Sequence, residues 1–215
     1  MVEDPKALVA AGYDQIHEAY VAWGGGDDVV RRRYLDLVID LGLVARGAQL
    51  LDLGCGTGAL ATRYLAEHFQ VTGVDLSPKS IEVARREIPT GRFIVGDMAF
   101  VELPDSSFDL VTAFYSLIHV PREEHQAVLD RIACWLRPGG VLIVTMGTSP
   151  GVARDPDWLG APMYWSSWDA DTNLRIVEAA GLEVVRSVTE ETIEHGSPIA
   201  FLWVVARKPA TSDAG

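Results

Sequence analysis

Two cysteines in 215 residues, Cys55 and Cys134, are too few and too poorly placed for a disulfide framework. A reducing, cytoplasmic setting is the expectation. Basic residues are scarce as well: 18 Lys and Arg against 30 Asp and Glu leave a net charge of −12. Such a surface is repelled by nucleic-acid phosphates and anionic membranes, which argues against both as partners. The one basic run, Arg31-Arg32-Arg33, falls inside a helical pattern, where a solvated face is expected. Long apolar runs are missing too. The most apolar stretch, 108–120, contains Asp109 and is too short to cross a bilayer. The opening Met1-Val-Glu-Asp-Pro has neither the basic nor the apolar segment of a signal peptide. No internal repeat is visible. His125 has no carboxylate or thiol at metal-ligand spacing and reads as a surface helix residue, so no metal is expected.

What is present is an ordinary globular balance, 48% apolar and 22% charged, with enough chain for one domain and a sizeable core. Its centre is Leu50-Leu-Asp-Leu-Gly-Cys-Gly-Thr-Gly58. Leu50, Leu51 and Leu53 read as a buried strand. Gly54, Gly56 and Gly58 then let the backbone turn sharply and let a ligand approach where a Cβ would block it. A helix follows over 58–68, with Thr57 as its cap. Strand, glycine turn and helix N-terminus together form a ligand loop. Two ligand classes fit it: a nicotinamide or flavin dinucleotide, and S-adenosylmethionine. Asp52 favours the second. A carboxylate at the mouth of this turn repels a pyrophosphate but suits the ammonium and sulfonium of a methionine moiety.

The motif resembles the first motif of the class I S-adenosylmethionine-dependent methyltransferases. Three further blocks resemble that family in the same order: Val71-Thr-Gly-Val-Asp75-Leu-Ser, Gly96-Asp97-Met98, and Leu136-Arg-Pro-Gly-Gly-Val-Leu-Ile-Val144. The resemblance covers roughly residues 45–145. It implies S-adenosylmethionine as cofactor and methyl transfer as the reaction, and it leaves the acceptor unnamed. The family's adenine-methylating Asn-Pro-Pro-aromatic signature is missing after the fourth strand, where Phe114-Tyr115-Ser116-Leu117 stands instead. That counts further against a nucleic-acid substrate.

Elsewhere the chain alternates strands (49–53, 70–75, 92–95, 109–114, 140–146) with helices (78–87, 122–136), the mark of a parallel α/β sheet. Residues 5–45 read as two helices broken at Gly24-Gly25-Gly26. Tyr13, Ile16, Tyr20 and Trp23 lie near the first stripe; Val30, Tyr34, Leu37, Val38 and Leu41 mark the second. Ser77 before Pro78 and Asp169 before 170–180 are helix caps. Two β-rich runs, 182–192 and 198–207, form an antiparallel hairpin at the sheet edge. The expected fold is α/β: a Rossmann-like, seven-stranded, mostly parallel sheet with a C-terminal antiparallel hairpin, flanked by helices and an N-terminal helical lid. One domain is expected over 1–208, comprising lid (1–46), cofactor core (47–146), substrate loop (147–168) and final helix and hairpin (169–208). Residues 209–215 are expected to be a disordered tail.

Site residues follow from strand ends, where open parallel sheets bind ligands. Gly54, Cys55 and Gly56 line the loop. Asp75 can accept both ribose hydroxyls, and Leu76 can cover an adenine face. Asp97 reads either as a turn residue or as an acceptor for the adenine amino group, with Met98 beside it as a soft apolar surface. The resemblance places Phe114 and His119 near the transferred methyl group and Tyr13 or Tyr20 near the methionine carboxylate; packing is the competing reading for the tyrosines. His119 is the first candidate general base, against a packing histidine. His195, in the late hairpin turn, and Tyr164 are the others, and Asp169 can also reach a substrate. The irregular, aromatic stretch 147–168 reads as neither strand nor helix. Its Trp158, Met163, Trp165 and Trp168, with the N-terminal helices, suggest a pocket for a small, partly apolar or aromatic acceptor. Oxygen or nitrogen is the expected acceptor atom, and the chain is expected to be a monomer or homodimer. Two rival functions remain: a nicotinamide-dependent oxidoreductase, and a non-catalytic S-adenosylmethionine-binding protein.

Overall fold

The computed structural model describes residues 4–23, 28–59, 61–194 and 197–210. The elements run α1 (Pro5–Trp23), α2 (Asp28–Asp40), β1 (Gln49–Leu53), α3 (Ala61–His68), β2 (Gln70–Asp75), α4 (Pro78–Glu87), β3 (Arg92–Val95), β4 (Phe108–Ala113), α5 (His125–Trp135), β5 (Leu136–Gly147), β6 (Gly151–Trp158), β7 (Ala161–Ser167), α6 (Ala170–Ala179), β8 (Glu183–Glu194) and β9 (Ser197–Arg207). Seven strands form one sheet in the order β3-β2-β1-β4-β5-β9-β8. The first five are parallel; β9 and β8 add antiparallel at one edge. The expected architecture and edge hairpin are present. The tip of that hairpin, with His195, and residues 211–215 of the expected tail lie outside the described residues, as do Gly24 to Asp27.

Strand alternation explains why both faces are covered. Leu51, Leu53, Val111, Ala113, Leu142 and Val144 point into one core, with Val128, Leu129 and Ile132 of α5. Leu50, Leu110, Val141 and Ile143 point into the other, with Leu35 and Val38 of α2 and Leu65 of α3. Side chains two apart share a face, so a central strand buried on both faces reads as a continuous apolar run. The sheet reverses direction of growth between β1 and β4, which places a ligand crevice beyond their carboxyl ends. Ser77 and Asp169 cap α4 and α6 as expected, accepting from the Ser80 and Thr172 amides.

Several local expectations give way to tertiary context. Residues 147–168 are not irregular: β6 and β7 pair as a separate antiparallel hairpin. Trp158 and Tyr164 pack with α1, sharing a small third core with Val9, Ile16 and Met163, while Trp165 bridges that core and the one on the sheet. The α1 partner is distant in sequence, so no alternation pattern marks these strands. α3 begins at Ala61 because the glycine loop runs on past Thr57. α5 is preceded by a 3-10 turn over Arg122–Glu124, and β5 starts directly at Leu136. His125 is no surface residue. It is 1% exposed, and its Nε2 donates to the Val120 carbonyl at 3.0 Å, closing the chain between β4 and α5. In α2 the buried stripe is Arg31, Tyr34, Leu35 and Val38, whereas Leu41 is exposed. Among the described residues, no helix is long and apolar enough to cross a membrane.

Candidate active site

The glycine loop is shaped by two close approaches. The Gly54 amide donates to the Val74 carbonyl at 2.7 Å, tying the loop to the end of β2. Gly54 has φ +77°, and a Cβ there would sit 2.2 Å from the Ser116 Cβ. The loop after β1 therefore meets the loop after β4 only through glycine. Gly56 also has a positive φ, but a Cβ there would meet nothing within 4 Å; it lines a cleft.

That cleft gathers residues from five places in the chain: Tyr13 and Tyr20 from α1, Gly54 and Gly56, Asp75 and Leu76, Met98, and Phe114 with His119. The Asp75 carboxylate accepts from the Gly56 amide at 2.8 Å and from the Ser77 amide at 2.9 Å. Burial nevertheless pushes its pKa up to about 6, with the Asp52 and Asp14 charges adding to the rise. A ligand offering hydroxyl donors relieves this desolvated carboxylate. Leu76 lines the same wall.

A second cavity adjoins the first, sharing Tyr20, Gly54, Gly56, Thr57 and Phe114. Asp52 and Cys55 line it. Asp52 is not at the mouth of the turn but at the buried floor, where its oxygens accept from Thr62 and Thr112 hydroxyls at 2.7 and 2.8 Å. Burial raises its pKa; the two hydroxyls and the Arg31 charge oppose the rise. Burial also pushes the Cys55 thiol well up, so it is inert toward nucleophilic chemistry. Arg31 completes this cavity. It is 3% exposed, not solvated, and its guanidinium lies 4.7 Å from the centre of the Tyr115 ring. Tyr115 holds that ring at a strained φ of +54°. Sequence reasoning missed Arg31; its place on the stripe with Leu35 and Val38, at four and seven residues' spacing, was the available signal.

His119 is buried at the end of a 3-10 turn, Leu117–His119. Its Nδ1 faces the Tyr164 carbonyl at 2.7 Å, and its Nε2 lies 2.9 Å from the Tyr13 hydroxyl. A carbonyl can only accept, so Nδ1 carries the hydrogen and Nε2 presents its lone pair to Tyr13. Burial pushes the pKa down to about 4, so the ring is neutral at pH 7.

Other expected residues are placed differently. The Tyr164 side chain sits in the third core; only its carbonyl serves the site. Asp169 is occupied as the α6 cap. Asp97 does not line the cleft, although Gly96 and Met98 do. Its carboxylate accepts from the Ala99 amide and from the Lys6 ammonium, each at 2.8 Å. Lys6 also pairs with Glu124 and lies over the Phe100 ring, fixing the start of α1 to two other elements. No sequence signal distinguished it beyond a shared stripe with Val9 and Ile16.

An open parallel sheet with a glycine loop after β1, an acid closing β2 and a helical cover defines a nucleoside-cofactor-binding α/β protein. Comparison with known proteins narrows this. Residues 50–140 match a family model described as a methyltransferase domain. The chain is 30% identical over 138 residues to malonyl-[acyl-carrier protein] O-methyltransferase of Serratia marcescens, covering 64% of this chain and 52% of that protein. It is 31% identical over 197 residues to phosphoethanolamine N-methyltransferase 3 of Arabidopsis thaliana, covering 89% of this chain and 37% of that one. A solved TehB-like S-adenosylmethionine-dependent methyltransferase of Corynebacterium glutamicum superposes with a TM-score of 0.66 at 25% identity, over 93% of this chain and 97% of that one. Over residues 50–140 the chain is similar to the methyltransferase domain, and these likenesses support a class I S-adenosylmethionine-dependent methyltransferase. It spans about half the length of the curated relatives it matches.

Proposed function

We propose that this protein transfers a methyl group from S-adenosylmethionine to an oxygen or nitrogen of a small, partly apolar molecule. The observation that carries the cofactor reading is the pairing of two cavities across Gly54 and Gly56, one ending at Asp75 and the other at Asp52 and Arg31. A nucleoside fits the first, with its ribose hydroxyls on Asp75 and its base against Leu76 and Met98. A zwitterionic amino-acid end fits the second, ammonium toward Asp52 and carboxylate toward Arg31. A pyrophosphate does not fit beside a buried carboxylate at that floor. The family match and the relatives' names support the same reaction.

When bound, S-adenosylmethionine supplies a methyl group on a positively charged sulfur. The chain's own task is to hold the acceptor in line, exclude water and receive a proton. Tyr13 and His119 supply the last function. An acceptor hydroxyl or amine gives its proton to the Tyr13 oxygen as the Tyr13 proton moves to His119 Nε2. The Nδ1 hydrogen stays donated to the Tyr164 carbonyl and keeps the ring oriented. A proton on His119 then replaces the positive charge that methyl transfer removes, so the net charge of the buried cleft is unchanged.

Calorimetric titration with S-adenosylhomocysteine and, separately, NADH tests the proposal. Micromolar binding of the first and none of the second is expected. NADH binding alone would make the protein an oxidoreductase candidate and overturn the reading of Asp52 and Arg31.

A further inference from the structure

α1 and the β6–β7 hairpin share an interior of their own. The hairpin is a separate sheet, unpaired with the main one. In the third core Val9 and Ile16 of α1 meet Trp158, Ala161, Met163 and Tyr164, and every member of that core comes from α1 or from residues 158–165. At the hairpin turn the Gln15 amide donates to the Gly160 carbonyl at 2.6 Å. The stretch expected to line an acceptor pocket thus lies mostly inside this body. Met163 is fully buried and Trp158 nearly so. Trp165 reaches into the sheet core as well, and Trp168, beyond the hairpin, donates its indole hydrogen to the Arg122 carbonyl.

The seam between this body and the sheet is mostly polar. The Lys6 ammonium donates to Asp97 at 2.8 Å and pairs with Glu124. Farther along α1, Asp14 accepts from the Ser77 hydroxyl and from the Lys79 amide at 3.2 Å, both at the N-terminus of α4, where a carboxylate is favoured. In β7 the Ser166 hydroxyl accepts from the Arg122 amide at 3.0 Å. Water replaces such contacts at small net cost, whereas parting α1 from the hairpin would expose the apolar interior. The two therefore leave the sheet together more readily than they leave each other. The hairpin's two connections to the sheet pinch together at Gly147 and Ser167, so closely that a Cβ on Gly147 would collide with the Ser167 side chain. Asn173 of α6 anchors that pivot, donating to the Gly147 and Trp168 carbonyls at 2.8 and 3.2 Å. The inner face of α1, with Val9, Ala10, Tyr13, His17 and Tyr20, roofs the cofactor cleft.

His119 stands on the sheet side of the seam, in the turn after β4, and both of its polar partners stand on the other. The Tyr13 hydroxyl at Nε2 comes from α1, and the Tyr164 carbonyl at Nδ1 comes from β7. We propose that α1 and the β6–β7 hairpin form one rigid cap whose closure assembles the Tyr13–His119 relay, with Lys6 and Asp14 as the positioning residues that hold it in register. With the cap open, the cleft admits its ligands and His119 has neither partner. On closure both partners arrive together, so the proton acceptor exists only in a cleft that excludes water. The relay's part in methyl transfer rests on the methyltransferase reading; the one-body cap does not.

Spin-label distances test the cap, because Cys134 on α5 is exposed and takes a label while Cys55 is buried. Cys134 paired with Glu18→Cys reads α1 against the sheet, and Cys134 paired with Val152→Cys reads the hairpin against it. Glu18→Cys with Val152→Cys, in a Cys134→Ser background, reads the cap itself. Two substitutions loosen the seam at separate points: Lys6→Glu sets a third carboxylate beside Asp97 and Glu124, and Asp14→Ala removes the acceptor at α4. In each, both distances to the sheet should gain a longer component together while the distance within the cap is unchanged, and saturating S-adenosylhomocysteine should restore the closed distances. Nitrogen-15 spectra of labelled histidine at pH 7, assigned with His119→Gln, should show His119 leaving the Nδ1–H form for a mixture of tautomers. Movement of α1 alone, with His119 keeping its Nδ1 hydrogen on the Tyr164 carbonyl, would overturn the one-body cap. Unchanged distances in both variants would overturn the role of Lys6 and Asp14. A change within the cap in both variants would also overturn it, by making the two residues supports of the whole fold. If S-adenosylhomocysteine does not bind while the distance and tautomer results hold, the part in methyl transfer falls and the one-body cap stands.

Discussion

Acidification should destabilise this protein through one imidazole. His119 is buried with Nδ1 on the Tyr164 carbonyl and Nε2 toward Tyr13, and burial lowers its pKa from an ordinary 6.5 to about 4. The folded chain therefore binds fewer protons than the unfolded chain between those values. The stability this contributes is fully present above pH 6.5 and is lost as pH falls toward 4. Integrating the two titrations, the loss from this group is about 1.4 kcal/mol at pH 5.5 and about 2.5 kcal/mol at pH 4.5, relative to pH 7.5. Asp75 works in the opposite direction over much of the same range, because its folded pKa is raised to about 6. A wild-type profile alone would mix the two. Comparison with His119→Gln isolates the histidine: urea unfolding of both proteins at pH 7.5, 5.5 and 4.5 should show the stability gap narrowing by about 2.5 kcal/mol at the lowest pH. The variant should still bind S-adenosylhomocysteine, since its cofactor contacts are intact. Parallel pH profiles for the two proteins would refute the buried neutral imidazole, and with it the proton path from Tyr13.

Three further outcomes follow from the cofactor assignment and the lid. Asp75→Ala should weaken S-adenosylhomocysteine binding more than tenfold in calorimetry while the circular dichroism spectrum is retained; unchanged affinity would remove the ribose assignment. Arg31→Met should weaken S-adenosylhomocysteine about tenfold but leave 5′-methylthioadenosine, which lacks the amino-acid end, unaffected. Equal losses for both ligands would mean that Arg31 supports the fold rather than a carboxylate. In α1, Gly12 lies so close to β7 that an added Cβ would stand 2.8 Å from the Pro162 carbonyl oxygen. Gly12→Val should therefore cost about 1–3 kcal/mol in chemical denaturation, by forcing the helix off the β6–β7 hairpin.

The cofactor half of this protein was legible because its information is local. A buried strand, alternating glycines and an acid at the next strand end are set by neighbouring residues, and each has one backbone solution at the carboxyl edge of a parallel sheet. The same holds for the caps at Ser77 and Asp169, whose partners lie three residues away. The edge hairpin was legible because both of its strands carry β-forming residues across a short turn.

What stayed hidden depends on partners far apart in the chain. Lys6 and Asp97 are 91 residues apart, and Tyr13 and His119 are 106 apart. Nothing in either neighbourhood specifies the pairing, and a charged residue on a helix reads as solvated until something is packed over it. That is why Arg31 passed as a solvated cation and His125 as a surface histidine, and why nothing singled out Lys6. The β6–β7 hairpin was missed for the same reason, since most of its buried apolar residues pack against α1, far away in the chain. The sequence by itself determined the parallel sheet, the glycine loop and the acid at Asp75, because short-range backbone geometry admits few alternatives. Only the tertiary structure decided the tautomer of His119, the burial of Arg31 and the packing of Trp158 and Trp165 behind the Tyr13–His119 pair, because packing and desolvation arise only when distant segments meet.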